Sequence, residues 1–252
     1  MKIDYRHEIE KLDAVIAPYL HPDFFFLNIG ACDGVMGDPV YPLVRRHHWR
    51  GIAVEPVPYN FERLQRNYAD EPQVILENAA ISTEPQTFWY VDEGSKSLPH
   101  IVSQVGSLNR EHVLRNLGRL KIMAAGRPLP RQPHHLEEFP PVDLDEYDED
   151  LSIDPDIEEY LTGIDIPCLT FNELLSKHQV ASVDYLNIDA EGADYEIFKM
   201  IDFDVVRPRV ICMETTSFDD DVSASLLEDL DEQGYEFAIR YGLFSKVYVR
   251  RD

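Results

Sequence analysis

The chain has 252 residues, 44% of them apolar, and 47 Asp plus Glu against 23 Lys plus Arg give it a formal net charge of −24. An acidic excess of that size excludes unaided nucleic-acid binding as the starting reading, because a basic face is the usual electrostatic footprint of such proteins. No run of about 18 uncharged apolar residues exists, MKIDYRHEIEKLDAV lacks the apolar stretch of a signal peptide, and Cys32, Cys168 and Cys212 have no C-x-x-C spacing. A reduced, cytoplasmic protein with no membrane association, no disulfide framework and no zinc site is the expectation.

Ahead of the first strand, Ile9, Leu12, Ile16 and Leu20 recur at helical spacing and predict an N-terminal helical extension, within residues 1–22, that packs on the sheet. Short apolar runs follow at 24–29 (FFFLNI), 51–55 (GIAVE), 73–77 (QVILE), 183–188 (VDYLNI) and 209–213 (RVICM), the pattern of parallel strands buried on both faces. Between them Phe61, Leu64 and Tyr68 mark a helix in 57–69, and Ala193, Ile197 and Ile201 mark one in 193–201. This alternation predicts one α/β domain over 1–252, an open, mostly parallel sheet with helices on both faces. At the C-terminus YEFAIRYG and LFSKVYVRR, β-rich and separated only by a turn, predict an antiparallel hairpin at the sheet edge.

Residues 93–165 interrupt the alternation. Val113, Leu114, Leu117 and Leu120 form an apolar stripe on a predicted helix over 108–123, and Arg110, Arg115, Arg119, Lys121, Arg127 and Arg131 face a single acid, Glu111, between 110 and 135. From Glu137 to Tyr160 half the residues are acidic and none is Lys or Arg, and prolines 128, 130, 133, 140, 141 and 155 leave 124–165 as a predicted loop, mobile or pinned by charge pairing. Because the insert leaves and rejoins the core between its third and fourth strands, it is expected to cover the acceptor side of the site.

An open parallel sheet binds ligands beyond the carboxyl ends of its strands. The first strand runs into Asn28-Ile29-Gly30-Ala31-Cys32-Asp33-Gly34, a G-x-x-x-G loop whose glycines would admit a ligand close to backbone or merely make a tight turn. A dinucleotide fingerprint needs a glycine where Cys32 stands. Glu55, followed by Pro56, ends the second strand, where an acid would accept hydrogen bonds from both hydroxyls of a ribose. Asn78 and Ala79 end the third, with room for an adenine ring, although Asn78 reads equally as a turn former. Asp189 and Glu214 are expected side by side on the fourth and fifth strand tips, where two carboxylates would orient a cationic donor, act as general base or bind a divalent metal. Glu191 and Asp194 read equally as first-turn helix acids.

FFFLNIGACDG, GIAVEPVPYNFERLQRNYA, LTFNELLSKHQVASVDYLNIDAEGADYEIFKMIDF and RVICMET, in this order, resemble the FkbM family of S-adenosylmethionine-dependent methyltransferases over about 24–92 and 165–250, with GSLNREHV at 106–113 also similar. The resemblance implies a Rossmann-like class I methyltransferase, a seven-stranded sheet ending in the antiparallel hairpin, and O-methylation of a small-molecule or saccharide acceptor. It places Gly30, Ala31, Asp33 and Gly34 along the methionine end of the donor, Glu55 at the ribose, Asn78 and Ala79 on the adenine side and Asp189 near the reactive methyl. Asn28 departs from the family pattern, standing where these enzymes often carry Asp. A hydroxyl acceptor needs a base or a metal; histidines 47, 48, 100, 112, 134 and 135 are candidate bases.

Two other readings compete. An NAD-dependent oxidoreductase or epimerase would use a Y-x-x-x-K pair, and Tyr195 with Lys199 is the one match. A catalytically silent donor-binding module would keep the fold and use the insert for a partner. The strand tip Asn187-Ile188-Asp189-Ala190 is not the N-P-P-Y type of amino-directed DNA methyltransferases, which adds to the case against nucleic acid.

Overall fold

The computed structural model describes residues 5–35, 38–92, 102, 104–124 and 156–251. Strands β1 (Phe25–Ile29), β2 (Arg50–Val54) and β3 (Val74–Glu77) come first. Two short pairs follow, β4 (Ala80–Ile81) with β7 (Cys168–Leu169) and β5 (Thr87–Val91) with β6 (Leu161–Asp165). Strands β8 (Tyr185–Ile188), β9 (Val210–Glu214), β10 (Tyr235–Tyr241) and β11 (Ser245–Arg250) complete a seven-stranded sheet of order β10-β11-β9-β8-β1-β2-β3. Its pairings are parallel except at β11, which runs antiparallel to both β9 and β10. The five core runs and the terminal hairpin thus appear where their patterning predicts them.

Alternate residues of these strands enter opposite cores. Phe26 joins Leu12, Leu43 and Leu64 on one face, brought there by helices α1 (Tyr5–Ile16), α2 (Val40–His47) and α3 (Pro58–Asn67). Leu27 and Ile29 join Leu174, Ile197 and Leu226 on the other. There the helices after α4 (Arg110–Ala124) pack: α5 (Phe171–Lys177), α6 (Asp194–Lys199) and α7 (Asp220–Glu232). At about 1.5–3 kcal/mol per buried apolar side chain, loading both faces is what makes the strands read as unbroken apolar runs. The N-terminal helix buries Ile9, Leu12 and Ile16, and Glu8 accepts the Gly242 N–H at 2.9 Å. The helix expected over 193–201 is shorter, six residues.

The described part of the insert is ordered around its own small core of Val91, Val102, Val105, Val113, Leu117, Leu120 and Ile157. Leu114, predicted for the same stripe, is only partly buried. Residues 161–165, expected as loop, form β6, because β5 supplies an antiparallel partner from across the insert. Lys121 and Glu158 make one ion pair between the basic and acidic halves. Most of the acidic run and its prolines, together with Arg127, Arg131, His100, His134 and His135, lie outside the described residues.

Candidate active site

Strand β1 lies between β8 and β2, so the chain winds away from it in both directions and leaves a crevice at the carboxyl edge. A cavity of about 390 Å³ occupies that crevice. On its β1–β2 side the wall is largely backbone. Gly30 and Ala31 donate to Val54 O at 3.0 and 2.9 Å, folding the loop against β2. Glu55 holds this loop with one oxygen, accepting from Cys32 N at 2.8 Å, and its own turn with the other, accepting from Val57 N at 2.8 Å. Its carboxyl is pushed up to about 7 by burial, against the pull of those N–H groups.

The β8–β9 side is made of acids. Ile188 pairs with Met213, so Asp189 and Glu214 follow on neighbouring strand tips as expected. One oxygen each from Asp189, Asp194 and Glu214 lies within 4.8 Å of the others. Burial first, and then Glu214, holds the Asp189 carboxyl well above its usual range. Burial and Glu191 push Glu214 up to about 7, and burial and Glu214 push Asp194 up to about 7. Asp194, read from sequence as a helix-start acid, accepts from Ala190 N at 2.8 Å and Gly192 N at 3.0 Å and so shapes the β8–α6 loop. Among the described residues that line the cavity there is no Lys or Arg.

Against known proteins, the family model for the methyltransferase FkbM domain matches residues 28–237. The chain belongs to the FkbM methyltransferase family. Membership implies S-adenosylmethionine as methyl donor, and the sheet order and terminal hairpin fit the Rossmann-like class I fold. No curated protein sequence matches. Solved structures similar in fold include a precorrin-6y C5,15-methyltransferase from Geobacter metallireducens GS-15, at 14% identity and TM-score 0.40, covering 97% of this chain and 85% of that one. The human methyltransferase 10 domain containing protein, at 10% and 0.41, covers 98% and 82%, and the METTL16 methyltransferase domain, at 10% and 0.42, covers 98% and 68%. Likeness this distant says nothing of the acceptor.

Of the residues singled out in the sequence of this FkbM methyltransferase, Gly30, Ala31, Glu55, Pro56, Ala79, Asp189 and Glu214 line the cavity. Asn28, Asp33, Gly34 and Asn78 do not, and each has work behind the wall. Asn28 Nδ2 donates to Asp38 Oδ2 at 3.0 Å, and its Oδ1 accepts from Asn187 at 2.8 Å. Asp33, fully buried, accepts the Val35 N–H. A Cβ on Gly34 would meet Tyr68 at 2.5 Å, so this glycine permits helix packing and not ligand approach. Asn78 Nδ2 donates to the carbonyls of Glu55 and Pro56 at 2.8 and 3.1 Å, fixing the turn into α3.

Several lining residues carry no signal at the strand tips. Asp38 reaches the cavity from the start of α2, hydrogen-bonded to Asn28 and to Val40 N, with its carboxyl raised to about 8 by burial. Gln104, His112 and Asn116 arrive from the insert, Leu243 and Phe244 from the β10–β11 turn. The hairpin turn was findable: with β10 parallel to the core strands, its outgoing end must fall at the carboxyl edge. Of the six candidate histidines only His112 lines the cavity among the described residues. His47 pairs with Asp13 and His48 ends α2. Tyr195 donates to Asp229 at 2.8 Å and Lys199 pairs with Glu196, so the Y-x-x-x-K match stands outside this cavity and the oxidoreductase reading loses its catalytic pair.

Proposed function

We propose that this protein O-methylates a neutral small-molecule or saccharide acceptor, with the donor on the β1–β2 side of the cavity and the acceptor under residues 104–120. The observation that carries this reading is the lining: acids converge on the strand tips, and among the described lining residues there is no Lys or Arg. Such a cavity favours the cationic donor and disfavours a phosphorylated acceptor or a nucleic-acid backbone. Bound S-adenosylmethionine supplies an electrophilic methyl group and departs as the neutral thioether. Glu55 would accept from the ribose hydroxyls once its grip on Cys32 loosens, Gly30 and Ala31 would line the methionine end, and Ala79 would flank the adenine. Asn28, Asp33, Gly34 and Asn78 would support that half from behind. Asp38, which lines the cavity beside Asn28, would offer the acid that Asn28 does not and hold the donor's ammonium group. Asp189 and Glu214 would hold the acceptor hydroxyl and take its proton, because a carboxylate raised toward neutrality is a better base than an ordinary one.

A more open groove of about 890 Å³ shares Ile81, Leu108, Ala193 and Ile197 with the cavity and carries Arg110 and Lys199; it would take the remainder of a larger acceptor. The close approach of Asp189, Asp194 and Glu214 favours a second version in which a divalent cation, for which three carboxylate oxygens are suited ligands, activates the hydroxyl. Three unpaired cysteines support a reducing, cytoplasmic setting, and no helix among the described residues is long and apolar enough to cross a membrane.

Thermal shift with S-adenosylmethionine, S-adenosylhomocysteine and NAD tests donor choice; the first two should raise Tm and NAD should not. A panel of hydroxylated acceptors, assayed for S-adenosylhomocysteine with EDTA and with Mg²⁺, then tests the rest. Donor binding without turnover of any acceptor would favour a silent module, and loss of turnover in EDTA that Mg²⁺ restores would favour the metal version.

A further inference from the structure

Glu191 sits in left-handed backbone at φ +47, a conformation that L side chains rarely adopt, and Gly192 follows at φ +95. Strain of this kind persists where surrounding contacts over-determine it. Here the contacts come from the insert. Ser107 Oγ donates to Glu191 O at 2.7 Å, Asn116 Nδ2 donates to Glu191 Oε2 at 3.0 Å, and His112 Nε2 stands 3.1 Å from the same oxygen. His112 also packs on the loop, where a Cβ on Gly192 would come within 2.8 Å of its Nδ1. The other side of the loop has no slack either: a Cβ on Gly30 would fall 1.7 Å from Asp189 O. Ser107 is in turn held to Trp89 by two backbone hydrogen bonds of 2.8 and 2.9 Å.

From this clamp we infer that Glu191 is a positioning residue. It fastens the 104–120 wall of the cavity to the loop that carries Asp189, so that the wall over the acceptor and the reaction-centre carboxylate are placed as one unit. The fastening stands on geometry alone; its catalytic meaning rests on the role proposed above for Asp189.

Hydrogen exchange on the full chain tests it. Glu191→Gly removes the carboxylate in a backbone that glycine adopts more readily, which spares the core. Amides of 110–117 should then exchange about tenfold faster or more, while those of 185–188 and 210–214 keep their rates. Adding Asn116→Ala should change little further, because both substitutions break the same contact. Glu191→Gln keeps an acceptor for Asn116 and should restore most of the protection. Unchanged exchange over 110–117, multiplicative effects of the two substitutions, or loosening that extends to 185–188 would each overturn the fastening. On an acceptor from the panel, kcat of Glu191→Gly should fall about tenfold with the donor KM unchanged; an undiminished kcat would overturn the positioning role. A wild-type chain that binds no S-adenosylmethionine would instead sink the proposed function, and the exchange rates would still decide the fastening.

Discussion

The β1–β2 and β8–β9 sides of the cavity both bury carboxylates, but they satisfy them differently. Glu55 accepts the backbone N–H groups of Cys32 and Val57, and Asp38 accepts those of Val40 and Tyr41 and the Asn28 side-chain amide. After burial, the largest influences on Asp189, Glu214 and Asp194 are other carboxylates. The first side is therefore a scaffold whose acids hold loops in shape, as Asp194 alone does on the second through Ala190 N and Gly192 N. The second stores like-charge repulsion that a proton or a cation relieves, which is how a reaction centre keeps a base poised near neutrality.

The most severe way to break this contrast is Gly30→Ala, which removes the separation between the sides. The added methyl would overlap Asp189 O and the residue would keep φ +82. Positive φ and overpacking together should destabilise by about 3–5 kcal/mol, a Tm loss of about 10 °C. A calorimetric Tm near wild type would mean that the two loops are not in contact. Next comes Asp189→Asn, which keeps shape and removes charge. Turnover should fall about a hundredfold or more, while Tm holds or rises as the repulsion with Glu214 disappears. Equal losses of Tm and turnover would make Asp189 a structural residue.

Glu55→Gln probes the scaffold side. A glutamine amide can accept only one of the two N–H bonds and cannot offer a charge to hydroxyl donors. Donor affinity by calorimetry should weaken about tenfold or more, matching the 1.5–3 kcal/mol typical of hydrogen bonds to charged groups. Stability should fall with it, unlike in Asp189→Asn. An unchanged affinity would remove Glu55 from the donor site.

The acids also set a pH dependence. Glu55, Asp194 and Glu214 near 7 and Asp38 near 8 remain protonated in the folded chain at pH values where their unfolded counterparts are ionised. Raised carboxyls contribute stability that is fully present below their unfolded values and is lost as pH rises through the folded ones, so Tm should decline from about pH 4.5 to about pH 8. A cationic donor favours the ionised forms. The Tm gain from S-adenosylmethionine should accordingly grow over that interval, and more than the gain from S-adenosylhomocysteine, which lacks the sulfonium charge. Equal gains at both ends would show that the acid lining does not recognise the donor.

The two sides were not equally legible in the sequence. Gly30, Glu55, Asp189 and Glu214 could be named because a parallel sheet delivers the residue after each strand to one edge, so that strand ends alone locate them. Asn28, Gly34 and Asn78 showed the limit of that logic: the same loops must also pack, and a glycine or amide there serves Tyr68 or a turn carbonyl as readily as a ligand. His112 could be named only as one of six candidate bases, and Asn116 not at all, because their place depends on an insert whose docking is written in Ser107 and Glu191, residues without strand or helix periodicity. Strand β6 was missed because its partner β5 lies across the insert, and such pairing leaves no local pattern.

The smallest expected effect tests the boundary of the site. Tyr195 and Lys199 lie on α6, the helix that follows the Asp189 loop, yet Tyr195 is hydrogen-bonded to Asp229, and Lys199 lies over the Tyr195 ring at 4.8 Å and pairs with Glu196. These are surface contacts of the kind that contribute about 1 kcal/mol or less. Tyr195→Phe and Lys199→Met should therefore leave donor affinity and turnover within about twofold of wild type and shift Tm by about 2 °C at most. The pair also separates the two sides of the comparison from the groove beside them, since Lys199 lines that groove and not the cavity. If Lys199→Met raises the acceptor KM while sparing the donor KM, the acceptor extends out of the cavity past Ala193, and the acid-lined pocket holds only its reacting end. If instead both substitutions abolish turnover, the chemistry has been placed on the wrong side of α6.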